Sequence, residues 1–528
     1  MIEIAKERRR AYLRNCRILA VLSSIAAVLY LRWLIFVAHP ENHALYWLLV
    51  VCEVFNIVQA AGFWITISTQ RWSEPATPDF EHTAETVDLF VTVLGEPLDV
   101  VEKTVAAAAA VRHPRAQVWI LDDGSSDEVR ELTLRYPVGY IARDTLKGAK
   151  AGNINHALEW TKGDFFAIFD ADQVAHPDFL EKTLGAFDEP SVGFVQTPQV
   201  YRNRVSDRVA EGAHNQQGLF YGPILRGKNG ANAVFSCGTN VVYRRSAMDE
   251  IGGMPEDSIT EDLRASILLL DHGYRSVYIS EVLADGLGPM DVNAYFNQQF
   301  RWCRGGLEIL FRKRPFSRKM TAAQTLQYSL GFLYWFTGWA YMGYLVLPVA
   351  YLLFGLRPVQ VPNDYPVHFL PYVLLALGTI VYAADFGIRF DALWFTLASF
   401  PVYAKALLTT FIGHSAKFVV TPKNAGRASL RPVWPLIATS TVLLAAAVYG
   451  IATLGPTPSV VNNVAWIIAH LVILGGFVWL AISPQRSAVS AAEELLLSKE
   501  EYAARAVLDS PASEPVAYNE IADQEPAE

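Results

Sequence analysis

Two kinds of hydrophobic pattern alternate along this chain. Unbroken apolar runs of the roughly 20 residues needed to cross a bilayer core occupy residues 18–38, 45–67, 327–355, 366–385, 432–454 and 463–482. Between the second and third of these runs the pattern changes. Short β-branched and aromatic runs, Leu89 to Leu94, Val118 to Leu121, Phe165 to Phe169 and Val192 to Val195, alternate with helix-periodic stretches such as Leu98 to Ala110 and Asp178 to Phe187. Strands separated by helices predict a mostly parallel sheet, because parallel neighbours need a connection long enough to return along the sheet. The chain therefore reads as an α/β domain inserted into an α-helical transmembrane bundle of about six spans plus interfacial helices.

A further apolar stretch, 391–412, is interrupted by Asp391, Pro401 and Lys405, and the basic flanks decide where it belongs. Lys6, Arg8, Arg9, Arg10 and Arg14 precede the first run, and Arg312, Lys313, Arg314, Arg318 and Lys319 precede the third, whereas loops 39–44 and 455–462 hold no Lys or Arg. The excess of positive charge on cytoplasmic loops puts the N-terminus and the inserted domain in the cytoplasm. A seventh crossing would carry Lys417, Lys423, Arg427 and Arg431 to the far side, so 391–412 is expected to lie along the cytoplasmic interface. The expected organisation is an N-terminal transmembrane pair (1–68), a cytoplasmic domain (69–326), a C-terminal transmembrane region (327–483) and a cytoplasmic acidic tail (484–528). The first run exceeds a signal-peptide core in length and is expected to stay uncleaved, giving a multi-pass protein of the inner (plasma) membrane.

Composition narrows the partners. With 52% hydrophobic and 12% aromatic residues the chain is too apolar to be wholly soluble, and a formal net charge of −8 gives no reason to expect nucleic acid. Cys16, Cys52, Cys237 and Cys303 are scattered without a CxxC pair, which argues against a disulfide framework or a zinc site. In open parallel sheets ligands collect at the carboxyl ends of the strands, and the acidic clusters fall there. Asp122-Asp123-Gly124 follows the Val118 to Leu121 run, and Asp170-Ala171-Asp172 follows Phe165 to Phe169. Two carboxylates one residue apart suit a hard divalent cation that also holds a diphosphate, although Asp at a strand end is also ordinary turn chemistry. Lys150 offers charge against phosphate, or is simply solvated. Asp262, after Thr260 and Glu261, opens an apparent helix from Leu263 to Asp271, so it is either an N-cap or a base for an attacking hydroxyl. Arg301 and Trp302 are either helix packing or a platform for a sugar ring.

In order, Asp122-Asp123-Gly124, Lys150-Ala151-Gly152-Asn153, Asp170-Ala171-Asp172, Gln196-Thr197-Pro198-Gln199, Phe235-Ser236-Cys237-Gly238-Thr239-Asn240, Thr260-Glu261-Asp262 and Gln298-Gln299-Phe300-Arg301-Trp302 resemble the motif set of processive family-2 glycosyltransferases, in the cellulose synthase-like branch. The resemblance runs from about Val87 to Lys423. It implies a GT-A-type domain that binds a UDP-sugar with Mg²⁺ or Mn²⁺ and extends a polysaccharide into a channel formed by the adjoining spans. Carried over by position, Asp122 or Asp123 resembles the uridine contact, Asp170 and Asp172 the metal and diphosphate contacts, and Asp262 the general base. Gln298, Arg301 and Trp302 resemble the acceptor floor, and Cys237, Gly238 and Thr239 its wall. Phe418, Thr421 and Lys423, within 415–430, match a gating loop. Glu96 with Pro97 matches the family at the first strand, and Glu261 belongs to the Thr-Glu-Asp motif. The implied function is polymerisation of a UDP-sugar, most simply UDP-glucose, into an exported β-glucan. Synthesis of a β-1,3- or mixed-linkage glucan, a mannan or chitin, a non-processive lipid-linked glycosyltransferase, and a non-catalytic channel subunit stand as alternatives. Implied partners are the donor, the growing polymer, the bilayer and accessory export subunits.

Overall fold

The computed structural model describes residues 2–483 apart from 79–83, 361–364, 386, 388 and 413–428. The gating-loop residues Phe418, Thr421 and Lys423 and the 484–528 tail lie outside the described residues.

Two long helices, α1 (Ile2–Phe36) and α2 (His43–Ser68), lead into the α/β domain. Its strands are β1 (Val87–Val93), β2 (Ala116–Asp122), β3 (Gly139–Ala142), β4 (Phe165–Asp170), β5 (Val174–Ala175), β6 (Val192–Gln196), β7 (Val200–Tyr201), β8 (Val241–Arg244), β9 (Arg275–Tyr278) and β10 (Ala284–Gly286). Seven of them form one sheet in the order β3-β2-β1-β4-β8-β6-β9. All run parallel except β8, which is antiparallel to both β4 and β6. The helices of the domain are α3 (Leu98–Ala109), α4 (Asp127–Thr133), α5 (Ala149–Trp160), α6 (Phe179–Thr183), α7 (Arg208–Leu219), α8 (Leu225–Gly230), α9 (Arg245–Glu250), α10 (Glu261–Asp271) and α11 (Val292–Arg312).

Covering both faces of the sheet explains why its strands read as continuous apolar runs rather than as alternation. On one face Leu89 and Val91 pack against Val101 and Val105 of α3. On the other, Phe90, Phe166 and Ile168 pack against Ala151 and Ile154 of α5 and Leu269 of α10. Each large side chain buried this way contributes about 1.5–3 kcal/mol. The register then sets the chemistry. Thr92 lies opposite Asp170, Val93 opposite Asp122, and Val241 opposite both Ile168 and Gln196. The carboxyl ends of β1, β2, β4 and β6 and the start of β8 therefore share one edge.

Beyond the domain come α12 (Ala322–Tyr334), α13 (Thr337–Phe354), α14 (Tyr365–Ala383), α15 (Phe390–Ala398), α16 (Phe400–Ile412), α17 (Trp434–Leu454) and α18 (Pro458–Ile482). Among the described residues seven helical runs are long and apolar enough to cross a membrane: the six expected and, seventh, Phe390–Ile412. That last run is α15 and α16 meeting at Ser399. It packs against the domain, with α15 on α7 and α16 along α11. The Tyr403 hydroxyl donates to Gln299 Oε1 at 2.9 Å, and Arg312 Nη2 donates to the Thr410 carbonyl at 2.7 Å.

One expected boundary moves. The 327–355 run is not a single helix but breaks at Trp335 and Phe336 between α12 and α13. A capping box between Thr321 and Gln324 starts α12, and its polar residues find partners away from lipid. Gln327 Nε2 donates to Thr66 Oγ1 at 2.9 Å, and Lys228 Nζ to the Gln327 carbonyl at 2.6 Å. Polar groups in an apolar setting must be hydrogen-bonded. The first part of the run therefore joins domain to bundle, and the span shortens to Thr337–Phe354.

Candidate active site

The shared sheet edge opens into a cavity whose wall includes Glu96, Asp123, Lys150, Asn153, Asp170, Asp172, Cys237, Gly238, Glu261, Asp262, Arg301 and Trp302. Asp170 ends β4, and its backbone N–H donates to Thr239 Oγ1 at 3.0 Å. Lys150 Nζ bonds Asp170 Oδ1, and also the Gly238 carbonyl at 2.8 Å. Burial alone would lower the Lys150 pKa, but the carboxylates of Asp170, Glu261 and Asp262 outweigh it and hold the ammonium above its ordinary value. Asp172 Oδ2 accepts from the Leu287 N–H at 3.1 Å, and Arg202 Nη1 bonds the Asp172 carbonyl at 3.2 Å. Glu96 Oε2 accepts from the Leu94 N–H at 2.6 Å, and burial raises its pKa.

Asp262 sits in the first turn of α10, which begins at Glu261, so it is inside the helix rather than its N-cap. Its Oδ1 accepts from the Leu263 N–H at 2.8 Å. Burial first, and the Glu261 carboxylate second, push Asp262 up to about 7, against the pull of the Leu263 N–H, Lys150 and Arg301. Glu261 is raised as well, with burial the main cause. A carboxylate poised near neutrality is matched to accepting a proton at physiological pH. Gly238, at φ +81, passes so close that a Cβ there would lie 3.1 Å from Asp262 Oδ2. Cys237 is wall rather than nucleophile. Burial, then Asp262, push its thiol up to about 12, so it stays protonated.

Helix α11 brings Arg301 and Trp302 to the same place because Gly305, one turn further on, lets it ride on the Thr260 turn. A Cβ on Gly305 would meet Thr260 Cγ2 at 2.4 Å. Gln299 points the other way, into the contact with Tyr403.

The two aspartates of the Asp-Asp-Gly motif separate. Asp123 lines the cavity and holds a bidentate pair with Arg143, 2.5 Å to Nε and 2.9 Å to Nη2. Asp122 is fully buried and spends both oxygens on the turn, accepting from the N–H groups of Gly124 and Ser126 at 2.8 Å each and from the Tyr140 hydroxyl at 2.9 Å. It is absent from the cavity wall, as are Gln298 and Thr239. Thr239 acts one layer back, on the Asp170 N–H.

Sequence reasoning missed three residues. Arg143 binds Asp123 and, through the carbonyls of Lys147 and Ala149 at 2.6 Å each, the start of α5 that carries Lys150. Gln196 fixes the Cys237 to Thr239 loop, accepting from the Cys237 N–H at 2.8 Å and donating to the Thr239 carbonyl at 2.9 Å. Asn153 is buried in the wall, donates to the Leu121 carbonyl at 3.0 Å, and among the described residues its Oδ1 has no hydrogen-bond partner. Gln196 and Asn153 each stood within a motif string that could have marked them; nothing in the sequence pattern marks Arg143.

Comparison with known proteins fits this geometry. The glycosyl transferase family group 2 model matches residues 165–384. The chain carries a family-2 glycosyltransferase domain. It is homologous to bacterial cellulose synthase catalytic subunits. The UDP-forming cellulose synthase catalytic subunit of Pseudomonas fluorescens is 33% identical over 64% of this chain and 47% of that protein. Cellulose synthase 2 of Novacetimonas hansenii is 28% identical over 86% of this chain and 30% of its own length. The chain thus spans half or less of the length of the curated relatives it matches. Among solved structures, the mannosyltransferase PcManGT from Pyrobaculum calidifontis, in complex with GDP-Man and Mn²⁺, aligns over 70% of this chain and 99% of its own, with a TM-score of 0.53 and 16% identity. That likeness establishes the GT-A-like fold of the family-2 domain.

Proposed function

We propose that the chain is a membrane-embedded, processive, inverting hexosyltransferase that joins sugars from a UDP-sugar, UDP-glucose first among them, into a β-glucan and passes it across the membrane. The observation that carries this reading is the placement of Asp262, raised toward neutrality, in one cavity with Asp170, Asp172, Lys150 and Trp302. In the reaction Asp262 takes the proton of the acceptor's terminal hydroxyl. That oxygen bonds to the anomeric carbon as the bond to the diphosphate oxygen breaks, which inverts the configuration. Trp302 supplies a flat face for the acceptor ring. Lys150 and Arg301 place positive charge where the leaving diphosphate gathers negative charge. Asp123 is the candidate nucleobase contact, oriented by Arg143.

The residues fit a divalent cation. Asp170 and the Gly238 carbonyl already hold the Lys150 ammonium, so the spot accepts positive charge, and the donors are hard oxygens. Asp170 and Asp172 would hold Mg²⁺ or Mn²⁺, with substrate phosphates and water completing its shell; among the described residues no third His, Cys, Asp or Glu joins them as a ready-made cage. When bound, the cation neutralises the departing diphosphate. The names of the relatives, UDP-forming cellulose synthases, favour the UDP-sugar and the β-glucan. Charge distribution favours a cytoplasmic domain with α15 and α16 at the interface, where α16 also anchors the helix that carries Arg301.

The test is Asp262→Asn in the purified full chain. A base acts on the acceptor and contributes little to nucleotide affinity, so UDP release should fall by about 10²-fold or more while UDP binding stays within about twofold. Turnover like the parent's would remove Asp262 from the mechanism.

A further inference from the structure

Helix α1 is continuous for 35 residues, about 52 Å at 1.5 Å per residue, whereas a bilayer core needs only about 30 Å. Its N-terminal part must therefore pass through the headgroups and beyond. Two faces of that part differ in chemistry. The inner face is committed to the protein. Arg9 pairs with Glu74 and stands 5.5 Å over the Trp72 ring, Tyr12 stacks on Tyr382 at 5.7 Å, and Asn15 Nδ2 donates to the Tyr382 hydroxyl at 2.8 Å. The outer face begins, within the apolar segment, as a stripe of exposed Ile18, Val21, Leu22, Ile25, Val28 and Leu29.

Stepping back by helical spacing from that stripe reaches Arg14, four residues before Ile18, then Arg17, four before Val21, and Arg10, four before Arg14. All three are exposed, so they continue the outward stripe rather than turning to the protein. Arg17 is steadied by its Nε bond to the Ser68 carbonyl at 3.0 Å, at the inner end of α2. Along the axis Arg17, Arg14 and Arg10 lie about 1.5, 6 and 12 Å beyond Ile18, and the headgroup layer is about 5–8 Å deep on each side. Arg17 and Arg14 thus stand within it, and Arg10 lies beyond its outer edge, on the water side. Glu7, also exposed, is three residues further out, on the water side.

We propose that Arg14 and Arg17 form a docking surface for an anionic phospholipid headgroup, whose phosphate their guanidinium forks grip from the cytoplasmic leaflet, with Arg10 adding positive charge on its water side. Charge complementarity and the continuity of the basic face with the outward apolar stripe carry the proposal. A guanidinium pairs with phosphate through two parallel hydrogen bonds, and one held at headgroup depth has lipid phosphates rather than bulk water beside it. The proposal rests on the reading of α1 as a membrane span. Its consequence is mechanical: the same helix that grips the lipid ties, through Arg9, Glu74 and Trp72, to the segment leading into β1.

The experiment uses the purified full chain in bilayer discs of phosphatidylcholine with a minor fraction of phosphatidylglycerol, with retained lipid counted by native mass spectrometry. The parent should retain phosphatidylglycerol over phosphatidylcholine by about tenfold or more. A basic residue near an anionic surface is worth roughly fivefold in occupancy, so the combined Arg10→Gln, Arg14→Gln, Arg17→Gln chain should lose most of that preference, and the corresponding Lys chain should keep most of it. If the triple variant fails to purify, Arg14→Gln alone should lose about fivefold. No preference in the parent, or an unchanged preference in the Gln chain, overturns the proposal. So does displacement of the lipid by millimolar glycerol phosphate, which would make the site one for free phosphates. Release of the chain from membranes by alkaline carbonate would instead refute the span reading; retention in the pellet with no lipid preference overturns the lipid site alone.

Discussion

Replacing Glu261 by Gln tests the electrostatics of the site without touching the base itself. As the proposed base Asp262 would work only as the carboxylate, and burial together with the adjacent Glu261 pushes it up to about 7, so kcat/KM should climb as pH rises through that value. Two like unit charges taken at roughly 6 Å interact by about 3 kcal/mol at an effective dielectric of about 20. Both residues are half-buried, and discounting the interaction by half for solvent screening leaves about 1.4 kcal/mol, or one pH unit. The sign follows from the charge. Removing a negative neighbour favours the ionised form, so the acid limb in Glu261→Gln should fall by about one pH unit. Lys150→Met removes a cation that favours the carboxylate, and its limb should move up. The assay is UDP release at saturating metal from about pH 5.5 to about pH 9, read as kcat/KM because that ratio reports the free enzyme. A limb in Glu261→Gln that stays in place or rises would refute the argument, as would a parent limb near the ordinary carboxylate value.

Three further outcomes are expected. Asp172→Ala should lose activity that Mg²⁺ or Mn²⁺ supports in the parent, by about 10²-fold or more; full activity of the parent in excess chelator would contradict this. In Gly305→Ala the new methyl would meet Thr260 at 2.4 Å, so α11 must shift. Overpacking of this kind costs about 1–3 kcal/mol, and misplacing Arg301 and Trp302 should lower kcat on the order of 10²-fold, measured beside a thermal melt. Lys228 is buried under Phe235 and Tyr328, and burial lowers its pKa to about 7. The unfolded chain then binds more protons between about pH 7 and about pH 10, so this residue makes stability rise with pH across that window, and Lys228→Met should flatten the slope of Tm there.

The sheet was readable because its strands are buried on both faces and so appear as apolar runs, and the acidic clusters were findable because they end those runs. The strand boundaries at Phe165 and Val192 coincide with β4 and β6, and Leu98 with the start of α3. The division of labour between Asp122 and Asp123 was not readable, because it depends on Tyr140 and Arg143 arriving from another strand and loop. The antiparallel β8 was hidden for a similar reason, since direction is a property of pairing and not of a strand's own residues. The break at Trp335 and Phe336 was masked by continuous hydropathy.

On the proposed function this one chain both bonds and exports a β-glucan. The most direct measurement is linkage analysis of polymer formed by the purified full chain in sealed vesicles supplied with single labelled UDP-sugars. UDP-glucose should give a long β-linked glucan, protected from added glucanase inside vesicles whose catalytic domains face outward, and Asp262→Asn should give none. A soluble single-addition product, a glycosylated lipid, or polymer left accessible to glucanase would contradict it.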